Sequence, residues 1–95
     1  SPSSEMNDMR KLSDIFCEKY PHDLLFLYYR NNEKTSFIFK THRQNKKINC
    51  SALTKNLITQ FGGKGGGKPD HVQGNLPSEK VELFISELKK TLENL

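Results

Sequence analysis

The densest group of residues able to do chemistry in this chain is Gly62-Gly63-Lys64-Gly65-Gly66-Gly67-Lys68-Pro69-Asp70, which holds five of the six glycines. Glycine costs backbone entropy on folding, so such a run marks tight turning or close approach of the main chain to something else. Lys64 and Lys68 make an anion the fitting partner. The other candidates are scattered: His22, His42, His71, Cys17, Cys50 and Asp23. His71 stands directly beside Asp70, but neighbours on a strand point to opposite faces. No spacing of His, Cys or Glu suits zinc. His22 and His42 read as surface residues. Cys17 and Cys50 read as reduced, partly buried thiols of a cytoplasmic protein rather than as a disulfide. A helix N-terminus near Cys50 would lower its pKa, but inert burial is the preferred reading. Catalysis, a metal and a cofactor are therefore not expected.

The glycine run imitates two nucleotide motifs and satisfies neither. Gly62, four residues, Gly67 and Lys68 follow the P-loop pattern, but Pro69 stands where a magnesium-binding serine or threonine is needed, and the run follows a helix pattern instead of a strand. The dinucleotide fingerprint fails at Lys68, where its last glycine would fall. Successive glycine amides still form an anion-binding concavity without a helix. The residues alone leave that reading level with a plainer one, in which the glycines let chain segments cross and the lysines are merely solvated.

The net charge of +4 is unevenly spread. Residues 30–68 carry nine basic groups against Glu33 alone, while the segments before and after each carry three basic and five acidic groups. The central excess suits a polyanion. Ninety-five residues make one domain with room for a small sheet and a few helices, not for a large enclosed active site. No apolar run reaches the length of a membrane span. The start at Ser1-Pro2-Ser3-Ser4 reads as a piece of a longer protein, with 1–5 as linker and 6–95 as a single domain.

These residues must be positioned by the elements between them. Met9, Leu12, Ile15, Phe16 and Tyr20 predict a helix over 6–20, stopped by Pro21. Leu24–Tyr29 and Thr35–Lys40 predict an antiparallel hairpin around Asn31-Asn32-Glu33-Lys34, with both sheet faces at least partly covered. His42–Lys47 is a basic connector. A second helix runs from about Ser51, capped by Asn49 or Ser51 and ended by Gly62. His71-Val72-Gln73 suggests a short third strand and Gly74-Asn75 a turn. Pro77 or Ser78 opens a last helix whose stripe Val81, Phe84, Ile85, Leu88, Leu92 and Leu95 predicts a core face. The fold class is α+β, a small mostly antiparallel sheet of three or more strands with three helices, in the order α-β-β-α-β-α.

The segment Ala52–Gln73, and Gly62–Asp70 above all, resembles the DHHA1 domain in the form that closes bacterial alanyl-tRNA synthetases and the longer alanyl-tRNA editing proteins. That family runs helix, Gly-Gly-Lys-Gly-Gly-Gly, a basic residue, Pro-Asp, two small or apolar residues, Gln and a last helix. Gly62–Asp70 and Gln73 match it as they stand, whereas His71-Val72 and Gly74-Asn75-Leu76 depart from it. The resemblance implies a tRNA-binding, non-catalytic domain whose partners are tRNA and the other domains of a parent enzyme, with a homodimer as a further option. Candidate contacts are Lys64 and Lys68 with Gly62, Gly63, Gly65, Gly66 and Gly67, followed by Arg43, Lys46 and Lys47. Pro69, Asp70 and Gln73 would pin the loop. The rival reading is a docking or dimerisation module, which requires the stripe Val81–Leu92 to be exposed in the monomer. A third is a nucleotide-binding accessory domain of the DHH phosphoesterase kind.

Overall fold

A computed structural model describes residues 2–95, with side chains from residue 5 onward. The elements are α1 (Pro2–Lys19), β1 (Leu24–Arg30), β2 (Lys34–Thr41), α2 (Cys50–Gln60), β3 (Lys64–Lys68), β4 (His71–Pro77) and α3 (Val81–Glu93), with a 3₁₀ turn at Ser78–Lys80. The four strands form one antiparallel sheet in the order β1-β2-β4-β3.

The helical and strand patterns lie where the sequence places them, but the sheet has gained a strand. Lys64–Lys68, expected as a loop, is an edge strand, and Gly74-Asn75, expected as a turn, lies inside β4. The order is thus α-β-β-α-β-β-α. Glycine has low strand propensity and no side chain to show a period of two, so Lys64–Lys68 carries no sequence signal of its own. Helix α1 begins at Pro2, so residues 2–5 of the expected linker are helical, while Ser1 lies outside the described residues.

Both sheet faces are covered, which explains why β2 does not alternate. Phe37 and Phe39 turn to one face, where α2 and α3 supply Ile58, Val81, Phe84 and Leu88. Phe26 joins them, its ring 5.5 Å from Phe37 and 5.8 Å from Phe84. Ile38 turns to the other face, which receives α1, and is fully buried as well. The buried row of α1 is Met9, Ser13 and Cys17, one step around the helix from the expected row; Leu12 and Ile15 are exposed. A small serine and a cysteine let α1 lie close to the sheet, which an apolar count alone does not reveal.

The stripe on α3 is core as far as Leu92: Val81, Phe84 and Leu88 are buried, and Ile85 and Leu92 pack against them, whereas Leu95, expected in the same stripe, lies past the end of the helix at Glu93 and is exposed. The exposure that a docking role for this helix requires is therefore missing. Helix α3 is held at its start by Ser78, whose amide donates to Glu33 O at 2.9 Å and whose hydroxyl bonds Thr35 Oγ1 at 2.8 Å. Among the described residues no helix is long and apolar enough to cross a membrane.

Candidate functional site

The glycine strand begins at a helix end. Phe61 closes α2, the amide of Gly62 donates to Thr59 O at 3.1 Å, and that of Gly63 to Ile58 O at 2.8 Å. This pairing is the Schellman motif, and it requires the left-handed residue that Gly62 provides with φ 75°. The chain then runs along β4 with Gly65 opposite Gly74 and Gly67 opposite Val72. Side chains there would collide: a Cβ on Gly67 would lie 2.0 Å from His71 O, and one on Gly74 would lie 2.2 Å from Lys64 O. Gly66 differs. A Cβ there would meet nothing within 4 Å, and its φ is not positive. Neither packing nor backbone conformation explains the glycine at 66.

Register fixes what the strand presents. Lys64, Gly66 and Lys68 pair with Asn75, Gln73 and His71, so these six residues share the face on which α1 lies. Helix α1 packs over β1 and β2, leaving the β4–β3 half of that face open, and Lys64, Gly66 and Lys68 are all exposed. The two lysines stand four residues apart on one strand, about 13 Å at 3.3 Å per residue.

Hydrogen-bonding groups follow the same register. Thr41 N donates to Asp70 O, which starts the alternation of β2–β4 bonds and turns the polar groups of His71, Gln73 and Asn75 toward β3. Their partners Lys68, Gly66 and Lys64 face inward in return. The amides of Gly65 and Gly67 therefore point outward from the sheet edge.

At the rim of the open half-face, Gln73 Oε1 accepts from Arg10 Nε at 3.1 Å and is 3.1 Å from His71 Nε2. Gln73 thus joins α1 to the β3–β4 hairpin from within a strand, not from a loop. Gly66, Lys68, Lys40, Asp70, His71 and Gln73 line an open depression of about 450 Å³.

Pro69 and Asp70 form the two-residue turn between β3 and β4. Cys50 N donates to Pro69 O at 2.7 Å, tying the turn to the start of α2. Arg43 and Lys46 stand beside this turn, lining a depression with Asn45, Ile48, Asn49, Pro69 and Asp70. Lys47 lies farther along the connector, in a separate cleft with Lys46. Of the expected contacts, Lys68, Arg43 and Lys46 thus gather at one end of the sheet, and Lys64 marks the opposite end of β3. Among the described residues, Arg30 pairs with Glu82, Lys40 with Asp14 and Lys90 with Glu87, whereas Arg43, Lys46, Lys47, Lys64 and Lys68 make no ion pair, a state they share with Lys11, Lys19, Lys34, Lys55, Lys80 and Lys89. Residue reasoning did not single out Arg10 or Lys40, whose placement on this face depends on tertiary packing.

Both thiols are free and buried. Burial, then the Asp70 carboxylate and Cys17, push Cys50 up to about 12, opposite to the lowering that a helix N-terminus would give. Burial also raises Cys17, against the pull of Lys40. Among the described residues no group of three or more His, Cys, Asp or Glu gathers to hold a metal.

The architecture and the open, unpaired basic strand define an α+β domain that presents backbone amides and lysines on an accessible sheet edge. The chain belongs to the DHHA1 domain family, whose model matches residues 2–94. It is 30% identical over 95 residues to the alanine–tRNA ligase of Alkaliphilus oremlandii, covering 97% of this chain and 11% of that protein. To the alanine–tRNA ligase of Leuconostoc citreum it is 36% identical over 95 residues, covering 90% and 11%. The chain spans about a tenth of the length of these relatives. The crystal structure of the C-Ala domain from Aquifex aeolicus alanyl-tRNA synthetase has the same fold, with a TM-score of 0.78 at 24% identity over 90% of this chain and 79% of that one.

Proposed function

We propose that this domain binds the sugar–phosphate backbone of tRNA as an accessory module of an alanyl-tRNA synthetase-like or alanyl-tRNA editing protein. One observation carries the reading: Gly66 lies exposed between Lys64 and Lys68 on an open half-face, with nothing in the fold that requires a glycine there. A bare backbone flanked by unpaired lysines lets a phosphate chain come close. Folded RNA is recognised mainly through phosphates, 2′-hydroxyls and shape, which suits such a surface better than base reading does. The names of the relatives, alanine–tRNA ligases, supply tRNA as the RNA to test.

In this reading Lys64 and Lys68 neutralise phosphates, the outward amides of Gly65 and Gly67 donate to phosphate oxygens, and Arg43 and Lys46 extend the contact past the Pro69-Asp70 turn. Gln73, held by Arg10 and His71, fixes the hairpin to α1 beside it. The domain supplies position and affinity, and the chemistry belongs to other parts of the parent protein.

The test is a tRNA titration at several salt concentrations. Lys64→Ala/Lys68→Ala should weaken binding and lower the slope of log affinity against log salt by about two, one for each phosphate that is no longer neutralised. An unchanged affinity, or a binding constant nearly independent of salt, would sink the proposal.

A further inference from the structure

We propose that a second phosphate-binding cleft, formed by His22, His42, Lys46 and Lys47, lies at the same end of the sheet on its β1 side, and that the RNA backbone runs to it from the glycine strand. The RNA part of this inference rests on the reading above; the cleft itself does not.

The cleft is a spacious surface depression of about 650 Å³, lined by Pro21, His22, His42, Gln44, Asn45, Lys46 and Lys47. Its two walls come from the α1–β1 turn and the β2–α2 connector, and one buried residue holds both. Thr41 Oγ1 donates to Asp23 O in the first wall at 3.3 Å and accepts from Asn45 Nδ2 in the second at 3.1 Å. Asn45 Oδ1 in turn accepts from Lys47 N at 3.3 Å. The lysines therefore stand on a braced segment, so the cleft is a built feature and not a gap between loose loops.

Its chemistry is that of an anion site. His42 Nδ1 accepts from Gln44 N at 3.1 Å, which leaves Nε2 as the nitrogen carrying hydrogen, and so a donor. Glu18 Oε1 is 3.6 Å from His42 Nε2, beyond an ordinary hydrogen bond, and Asp14 and Asp70 line a neighbouring depression with Glu18 and His42. Among the described residues no carboxylate lines the cleft, whereas two lysines and two imidazoles do.

The path to it is continuous. The cleft shares Asn45 and Lys46 with the depression beside the turn, and that depression shares Asp70 with the one lined by Gly66 and Lys68. Three strand spacings separate β1 from β3, about 14 Å across the sheet end. Lys68, Arg43, Lys46 and Lys47 are spread over that width, and Asp70 is the acidic residue on the way. A phosphate chain crossing this end would meet a cation in each of the three depressions.

Inorganic pyrophosphate is the probe for the cleft, read by amide and imidazole shifts of the isotope-labelled 95-residue chain. Shifts at His22, His42 and Gln44–Lys47, abolished by Lys46→Gln/Lys47→Gln while the rest of the spectrum is kept, are expected. No response at these positions overturns the cleft, whatever Lys64 and Lys68 do. The path is tested with tRNA: Lys46→Gln/Lys47→Gln should lower the salt slope by about two, and an unchanged slope overturns it. If pyrophosphate moves the cleft while Lys64→Ala/Lys68→Ala leaves tRNA affinity intact, the RNA reading fails and the anion site stands.

Discussion

Gly66 and Gly67 are neighbours in one strand with opposite reasons for being glycine. A side chain at 67 would enter the carbonyl of His71, whereas one at 66 would enter solvent. Gly67→Ala should destabilise the fold by about 1–3 kcal/mol, while Gly66→Ala should change it by no more than about 0.5 kcal/mol. Thermal denaturation of the two variants checks the contrast, and equal losses would mean that the strand packs differently. Gly66→Val, suited to a strand but filling the gap between Lys64 and Lys68, should fold normally and bind tRNA more weakly. Cys50 gives a second prediction at this scale. With its thiol pushed up to about 12, thiolate is scarce at pH 8, and iodoacetamide should label it quickly only after unfolding. The sign for stability follows: unfolded Cys50 ionises near its ordinary value of 9, so its contribution is full below that pH and is lost as pH rises toward 12.

At the scale of elements, the parts legible in the sequence are those in which side chains report the structure. The α3 stripe, the β1–β2 hairpin and the Asn49 cap all announce themselves through spacing or residue type. The cap is in place, with Asn49 Oδ1 accepting from Ala52 N at 3.0 Å. Asn49→Ala should cost about 1 kcal/mol, read as a lower Tm with unchanged helical content at low temperature. Strand β3 was not legible, because glycines show no face; its one available signal was the pairing of Gly65 with Gly74 on either side of a two-residue Pro-Asp turn. In α1 an apolar count picks Leu12 and Ile15, yet the helix settles on Met9, Ser13 and Cys17, since close approach to the sheet favours small residues. The site shows the same division. Its residue types were readable as basic and glycine-rich, but their sorting onto one sheet face and one sheet end depends on register.

Across the whole molecule, charge and shape are arranged together. The α2–α3 layer closes one face of the sheet over the phenylalanines, α1 closes half of the other, and the remaining half carries the glycine strand. Three separate connections, at Pro21–Asp23, His42–Asn49 and Pro69–Asp70, meet at the end of the sheet where unpaired cations from the central basic segment collect. Such a surface predicts where RNA lies as well as that it binds. The most direct measurement is the amide chemical-shift footprint of tRNA on the labelled chain. Changes should centre on Lys64–Lys68 and His71–Gln73 and extend to Arg43–Lys47. A footprint on the outer side of α3 around Leu83, with β3 unmoved, would contradict the account.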